Sequence, residues 1–263
     1  MSKKEITPEM VNARVVKANV LIQQSRFSLS TQQQKIVLFL ISQVNPFDDD
    51  FKEYEFSIQD FCRLCGIDET NGYHYIEIKK AIKDIADKSM WIEISEDEET
   101  LCRWIEKPYL NKNNGKIRIR LDKDMKPYLL KIKDNFTQYE LLYTLRFKSK
   151  YTIRLYELIK SIHFDELHTY TREYSLEELK KRLDCEKYEI WQSLKARVLD
   201  TAIAEINEYS DKIVTYEKIK KGRAVSRVRF TITTKEPAER FEINCKIKEE
   251  LGLNQLSFWG EQE

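Results

Sequence analysis

Apolar side chains recur at helical spacing in the first third of the chain, and polar residues mark where the helices begin. Ser30 and Gln33 form the sequence pattern of a capping box, and the apolar run 36–41 follows directly. A second apolar stripe with helical spacing comes later: Tyr75, Ile78, Ile82 and Ile85. These two patterns predict two helices, each with one face buried in a core.

Alternating positions between and after these helices predict short strands and a hairpin. The sequence YEFSI alternates from Tyr54, and Ser57 is placed to cap a short helix that ends at Gly66. Beyond residue 88, the segments MWIEI, LCRWIEK and KIRIRL are strand-like, and an acidic turn at 95–99 joins the first two. The predicted order is helix, strand, short helix, longer helix and hairpin.

The same order recurs after residue 150, with Ser175 placed 118 positions after Ser57. Ser175 and Glu178 form a second capping-box pattern, and a hairpin centred on Gly222 closes the unit. Between them, a long helix predicted over 188–210 has its own apolar stripe: Trp191, Leu194, Val198, Ala202 and Ile206. A spacing of 118 is too long for a solenoid period, so the pattern indicates a duplicated domain.

This order of elements is typical of a winged helix-turn-helix. In that fold the longer helix enters the major groove of DNA, and the hairpin, called the wing, lies along the backbone. We therefore expect an α+β fold with two tandem winged helix-turn-helix domains related by internal duplication. The expected boundaries are 1–135 for the first domain, 136–235 for the second, and 236–263 for an acidic, flexible tail.

The distribution of charge assigns most of the expected DNA contacts to the second copy. The formal net charge is only +1, but residues 212–229 hold seven basic residues and one acid, whereas 236–263 is net −4. A focused positive segment is typical of a polyanionic partner, although a solvated basic hairpin has the same composition. The cations predicted to contact DNA from this wing are Lys218, Lys220, Lys221, Arg223, Arg227 and Arg229.

Other contacts are predicted from the two longer helices. Exposed positions of the second one are expected to contact bases: Gln192, Ser193, Lys195 and Arg197. The first copy has acids at 96–99 in its wing, which phosphate would repel, so we assign its backbone contacts to helix lysines instead. These are Lys79, Lys80 and Lys83, for which an ordinary solvated face is the alternative interpretation.

Several motifs recur in a fixed order through residues 12–233. They include 19–24 and 29–40 near the start, and then Tyr128–Leu130, Phe136–Tyr139, Ser149–Tyr151, Arg154–Leu158, Arg197–Asp200 and Glu205–Asn207. Together they resemble the initiator Rep proteins of theta-replicating plasmids, whose origins contain direct repeats called iterons. Agreement of several ordered motifs is more specific than one short pattern.

The resemblance implies a protein that binds iterons, promotes opening of the adjacent AT-rich DNA and recruits the host helicase and replisome. It also implies a homodimer in equilibrium with a monomer, repression of its own gene and control of copy number. The first domain would then provide dimerisation and backbone contacts, and the second would be the main reader of origin DNA. Arg154 would either contact phosphate or pair with an acid such as Glu157 or Glu178.

The chain has no motif for catalysis or for a cofactor, so we expect neither enzyme activity nor a metal. His74, His163 and His168 lack the His-apolar-His spacing of nicking relaxases, and no GxxxxGK loop occurs. Cys62 and Cys65 form one CxxC pair without a second, and five thinly spread cysteines favour the bacterial cytoplasm. The longest apolar run is too short to cross a membrane. A tandem winged-helix transcriptional regulator without an initiation role is the alternative function.

The end of the chain holds a second candidate binding motif. Four of its residues resemble the short peptide by which bacterial replication proteins bind the sliding clamp: Gln255, Leu256, Phe258 and Trp259. Trp259 replaces the usual final Phe. Docking of this segment on the protein itself, or disorder, is the alternative interpretation.

Overall fold

A computed structural model describes residues 13–59, 62, 74–113, 115–161 and 168–251. The elements of its first half are β1 Arg14–Ala18, α1 Asn19–Gln23, β2 Ser25–Arg26, α2 Thr31–Ser42, β3 Tyr54–Ser57, α3 His74–Asp87, β4 Ser89–Glu93, β5 Glu99–Arg103, β6 Tyr109–Asn111, β7 Lys116–Ile119 and α4 Lys126–Leu129. They include two three-stranded antiparallel sheets, with strand orders β2-β4-β5 and β3-β7-β6, packed around α2 and α3.

Both helices predicted in the first third are present. The hydroxyl of Ser30 accepts a hydrogen bond from the Gln33 N–H, and the Gln33 side chain accepts one from the Ser30 N–H, which confirms the capping box. Ile78, Ile82 and Ile85 on α3 are buried in the core, as the stripe predicts. The short helix predicted after Ser57 falls mainly outside the described residues.

The second half contains one three-stranded antiparallel sheet, with strand order β10-β11-β9, covered on one face by helices. Its long helix has three consecutive parts, α8, a π-turn at Lys195–Leu199, and α9. The elements are β8 Phe136–Glu140, α5 Leu141–Arg146, α6 Lys150–Lys160, β9 Thr169–Ser175, α7 Leu176–Arg182, α8 Trp191–Leu194, α9 Asp200–Tyr209, β10 Lys212–Lys221, β11 Ala224–Thr234 and α10 Pro237–Glu250.

The second capping box is only half formed. The Ser175 hydroxyl accepts from the Glu178 N–H, as predicted. The Glu178 carboxylate does not return to the cap but accepts hydrogen bonds from Arg182, one helical turn further along. The ion pair at i, i+4 and the cap compete for the same carboxylate, and in this helix the Glu178 carboxylate pairs with Arg182.

The long helix begins later than predicted and is not a regular α-helix. It starts at Trp191 rather than Tyr188, and its π-turn adds one residue to a turn. Val198 and Leu199, which both lie in the π-turn, are fully buried. Trp191, the first residue of the stripe, is partly buried and packs against the core, with its ring 6.4 Å from that of Tyr216.

The tail prediction was wrong for the part that the structure describes. Residues Pro237–Glu250 form a helix, α10, whose Ile247 is fully buried. Arg146 of α5 pairs with Glu250, and Asn244 donates to Glu140 at 3.2 Å. The docking is hard to predict from the sequence because α10 has few apolar residues, of which Ile243 and Ile247 pack against the core. The clamp-like motif lies outside the described residues.

The two halves are joined by strand β1, which pairs with β8, and by a carboxylate buried beneath that pair. Glu157 of α6 is 1% exposed, and its Oε1 accepts from the Lys17 ammonium at 2.6 Å and from the Tyr139 hydroxyl. Burial lowers the pKa of Lys17, and Glu157 opposes this shift. Lys17 precedes Glu157 by 140 residues, so the pair links distant parts of the chain.

Arg154 completes this buried cluster, which settles the two roles left open for it. Its guanidinium is 3.8 Å from Glu157 and lies 4.3 Å from the Phe27 ring centroid. It also donates to three backbone carbonyls, those of Ile22, Ser25 and Arg182. At 6% exposure Arg154 is a structural residue that ties α7 to the first half.

Replacing Glu157 by Gln should destabilise the fold strongly, because Lys17 and Arg154 would remain buried without a counter-charge. We expect a loss of about 3–5 kcal/mol in the free energy of unfolding, measured by urea denaturation. The control is Glu208→Gln, which removes an exposed carboxylate paired with Lys246 and should cost under about 1 kcal/mol. Equal losses in the two variants would contradict a dominant role for the buried cluster.

Candidate nucleic-acid interface

The long helix and the hairpin β10–β11 are held side by side by specific contacts along their length. Asn207 brackets the backbone of Val214, accepting from its N–H at 2.6 Å and donating to its carbonyl at 3.0 Å. Nearer the start of the helix, the Tyr216 hydroxyl donates to Asp200 at 2.8 Å, and its ring packs on Trp191. The hairpin is therefore fixed relative to the helix at two levels.

Strand alternation decides which cations of the hairpin share a face with the helix. Val214 and Tyr216 point toward the helix, so Lys218, two residues further along, lies on the same face beyond the helix. Its cross-strand partner Val228 has its side chain buried on that face as well. A register shift between Ile219 and Lys220 then changes the alternation at the tip.

Four of the predicted wing cations form the exposed tip of the hairpin: Lys218, Lys220, Lys221 and Arg223. Gly222 allows the tight turn between them, with a φ of +65° that other residues rarely adopt. Among the residues that the structure describes, none of the four has an ion-pair partner. We call these four residues the wing tip.

Arg227 and Arg229 lie on the opposite face of the sheet and are paired with acids. Arg229 stands directly between Glu173 and Glu217 in the strand register, 3.0 Å and 2.7 Å from their carboxylates. Arg227 also pairs with Glu173. The sequence did not reveal this neutralisation because β9, which carries Glu173, is separated from β11 by the whole long helix.

Lys212, which contributed to the basic segment in the sequence, does not belong to its surface. It is 3% exposed, and its ammonium donates to Thr234 at 2.6 Å and lies 3.8 Å from Asp211. The seven cations of 212–229 therefore separate into four at the wing tip, two paired on the outer face and one buried.

The predicted base-contacting residues lie near the start of the long helix. Gln192 and Arg197 are exposed, and Ser193 is half-exposed. Lys195 is also half-exposed, but its ammonium is 2.6 Å from the Asp200 carboxylate. The helix start thus presents polar side chains beside the face of the sheet that also carries Lys218, and of its two cations only Lys195 has an acidic partner within the described residues.

The three helix lysines of the first copy are also exposed. Lys79 and Lys80 lie on the open face of α3, and Lys83 pairs with Asp87 one turn later. The acids at 96–98 are exposed at the tip of the β4–β5 hairpin, whereas Glu99 pairs with Arg26. The first copy therefore has a basic helix face and an acidic hairpin, as the sequence indicates.

Within the described ranges, no cluster of three or more His, Cys, Asp or Glu side chains could hold a metal ion. No helix in the same ranges is long and apolar enough to cross a membrane. Cys62 is fully buried, and burial raises the pKa of Cys185 to about 12, so both thiols are packing groups. Cys65 and His163 lie outside the described residues.

Comparison with known proteins assigns both halves of the chain. A family model described as "Initiator Replication protein, WH1" matches residues 14–160, and one described as "Initiator Rep protein, WH2" matches residues 175–232. The first match extends past the boundary that we expected after residue 135. The winged-helix assignment of each half, predicted from element order, is confirmed.

One solved structure shows the same architecture over nearly its whole length. The chain is similar to the Pi initiator protein, whose crystal structure is a complex with iteron DNA, with a TM-score of 0.70 and 21% identity. The match covers 86% of this chain and 99% of that one, and at this identity it shows the fold. With both family models matched in order, the chain belongs to the initiator replication protein family, and consists of a WH1 and a WH2 winged-helix domain.

Proposed function

We propose that this protein initiates plasmid replication by binding repeated origin sequences, and that its second domain makes most of the DNA contacts. The observation that carries the proposal is the wing tip, whose four cations have no ion-pair partner among the described residues and whose strand β10 is held to the long helix by Tyr216. The structurally similar Pi initiator protein binds iteron DNA. The family match supports a DNA-binding protein without enzymatic activity.

The proposed contacts divide by chemistry. Helix residues Gln192, Ser193, Lys195 and Arg197 enter the major groove, where amide, ammonium and guanidinium groups distinguish base edges. Cations of the wing tip neutralise phosphates beside the groove, and Lys79, Lys80 and Lys83 add backbone contacts from the first domain. We expect little DNA contact from Arg227 and Arg229, because Glu173 and Glu217 already pair with them.

The remaining steps of initiation extend the same proposal. Because the sequence contains no GxxxxGK loop, opening of AT-rich DNA would draw on binding energy and on a recruited host helicase. The same DNA surface could repress the protein's own gene, and a monomer–dimer equilibrium in the bacterial cytoplasm would limit copy number. WH1 is the proposed dimerisation domain.

The clamp-like motif would attach a sliding clamp near the origin. Its first residue, Gln255, follows five positions after the end of α10, which is docked on α5 and α9. A synthetic peptide covering residues 251–263 should bind purified bacterial clamp, and a version with Leu256 and Phe258 changed to Ala should not. Absence of binding by the unmodified peptide would remove this part of the proposal.

A transcriptional regulator with the same two domains is the alternative, and replication itself separates the two. The gene, supplied with its neighbouring repeats on a DNA circle lacking any other origin, should support maintenance of that circle in a host. A regulator would bind the repeats and change transcription but would not maintain the circle. Strand cleavage of supercoiled origin DNA would instead indicate a nicking enzyme.

Loss of a wing-tip cation should weaken binding to all DNA sequences to a similar extent. We expect Lys220→Ala or Arg223→Ala to reduce the slope of log K against log salt by about 0.9, the value for one phosphate contact. Fluorescence anisotropy with a repeat duplex and a scrambled duplex measures both quantities. Arg229→Ala is the matched control, and its slope should change little, since that arginine is already paired. A larger change of slope for Arg229→Ala would show that the outer face of the sheet, which carries Arg227 and Arg229, contacts DNA.

Changes at the start of the long helix should act on sequence preference instead. Gln192→Ala or Arg197→Ala is expected to lower affinity for the repeat by about 1–3 kcal/mol, the cost of one lost base contact. Binding of Gln192→Ala to scrambled duplex should stay close to that of the wild type. Equal losses on both duplexes would show that this residue contacts the backbone rather than a base.

A further inference from the structure

The π-turn in the long helix brings together two charged side chains that a regular α-helix would keep apart. Residues five apart on an α-helix point about 140° away from each other. Here the Asp200 N–H donates to the Lys195 carbonyl, and the Lys195 ammonium is 2.6 Å from the Asp200 carboxylate. The turn thus creates an ion pair at i, i+5 within the proposed DNA-contacting surface.

The same carboxylate also holds the wing. Oδ2 of Asp200 accepts from Lys195, and Oδ1 accepts from the hydroxyl of Tyr216 on β10 at 2.8 Å. The Tyr216 ring contacts the rings of Trp191 and Phe230, so the phenol is fixed from both sides. One side chain therefore connects a helix cation to the strand that leads to the wing tip.

A contribution to the stability of the fold does not by itself explain why Lys195 and Asp200 are paired here. The Lys195 and Asp200 side chains are each 43% exposed, and exposed ion pairs contribute little to folding. A carboxylate beside the wing tip would also repel DNA phosphates, which costs affinity. The hydrogen bond from Lys195 lowers the pKa of Asp200, so the carboxylate is ionised at neutral pH. The Asp200 carboxylate therefore has a role other than stability, and its ion pair with Lys195 points to control of where that ammonium lies.

We propose that Asp200 is a positioning residue for sequence recognition, which holds the Lys195 ammonium against the wing so that it meets the DNA in one register. A lysine side chain without such a partner can reach several neighbouring phosphates, and its contact then carries no sequence information. When Asp200 holds it, the Lys195 ammonium contacts the DNA at one position of the bound sequence only. This inference rests on the proposed DNA-binding function and concerns the origin of specificity.

The decisive variant is Asp200→Asn, which keeps the shape and an oxygen acceptor for Tyr216 but removes the charge that holds Lys195. Affinities for a repeat duplex and a scrambled duplex are measured by anisotropy over a range of salt concentrations, using the full chain. We expect the ratio of the two affinities to fall about five- to tenfold, the loss of one base contact. On the scrambled duplex, the slope of log K against log salt should become steeper by about 0.9, because the released lysine gains a phosphate contact.

Two further variants test whether Asp200→Asn changes the affinity ratio through Lys195. In a Lys195→Met background, Asp200→Asn should change the affinity ratio no further, since the group that it positions is absent. Tyr216→Phe removes only the hydroxyl and should lower the ratio by less than Asp200→Asn does. The matched control is Glu208→Gln, which breaks an exposed ion pair with Lys246 at the far end of the same helix and should leave the ratio unchanged.

The outcomes separate this inference from the proposed function. If the wild type prefers the repeat and Asp200→Asn retains that preference within twofold, the positioning role is wrong and the function stands. An Asp200→Asn effect that persists undiminished in the Lys195→Met background would also overturn it. If the wild type shows no preference for any origin repeat, the proposed function itself fails. Melting temperatures of all variants exclude a loss of folding as the cause.

Discussion

The ion pair between Lys17 and Glu157 is the contact on which the arrangement of the two domains depends. Removing a carboxylate and an ammonium from water is costly, and the cost is recovered only when each group meets its partners with good geometry. Tyr139 and Arg154 supply further partners for Glu157, and they come from β8 and from α6 itself. Few other placements of β1 against α6 would satisfy all four groups, so this cluster gives the junction a defined geometry.

Helix α6 connects this junction between the domains to the base of the wing. On this helix, Tyr156 and Lys160 lie one turn apart and donate to the buried Asp211 at 2.7 Å and 2.8 Å, immediately before β10 begins. Burial opposes ionisation of Asp211, but Lys160, Lys212 and Tyr156 together hold its pKa below the ordinary value. The wing therefore starts from a fixed charged anchor, and its next fixed points are Val214 and Tyr216, which bond to Asn207 and Asp200 of the long helix.

Features that depend on neighbours in sequence were predictable, and features that depend on distant residues were not. The cap at Ser30, the apolar stripe of α3 and the turn at Gly222 are local, and the structure contains each of them. The pairing of Arg229 with Glu173, and the docking of α10, join residues that only the folded sheet and core bring together. A period of 3.6 likewise cannot indicate a π-turn, which changes the period itself.

The separation of charge in the second domain is compatible with the selective DNA binding that we propose for a chain of net charge +1. Non-specific affinity grows with the number of phosphates that a surface can neutralise. Acids on β9 and β10 pair with the outer-face arginines, and Asp200 holds Lys195 in one position. The wing tip and Arg197 are the cations of the proposed DNA surface that have no ion-pair partner among the described residues. Fewer free cations lower affinity for random DNA, so contacts to bases account for a larger share of the total.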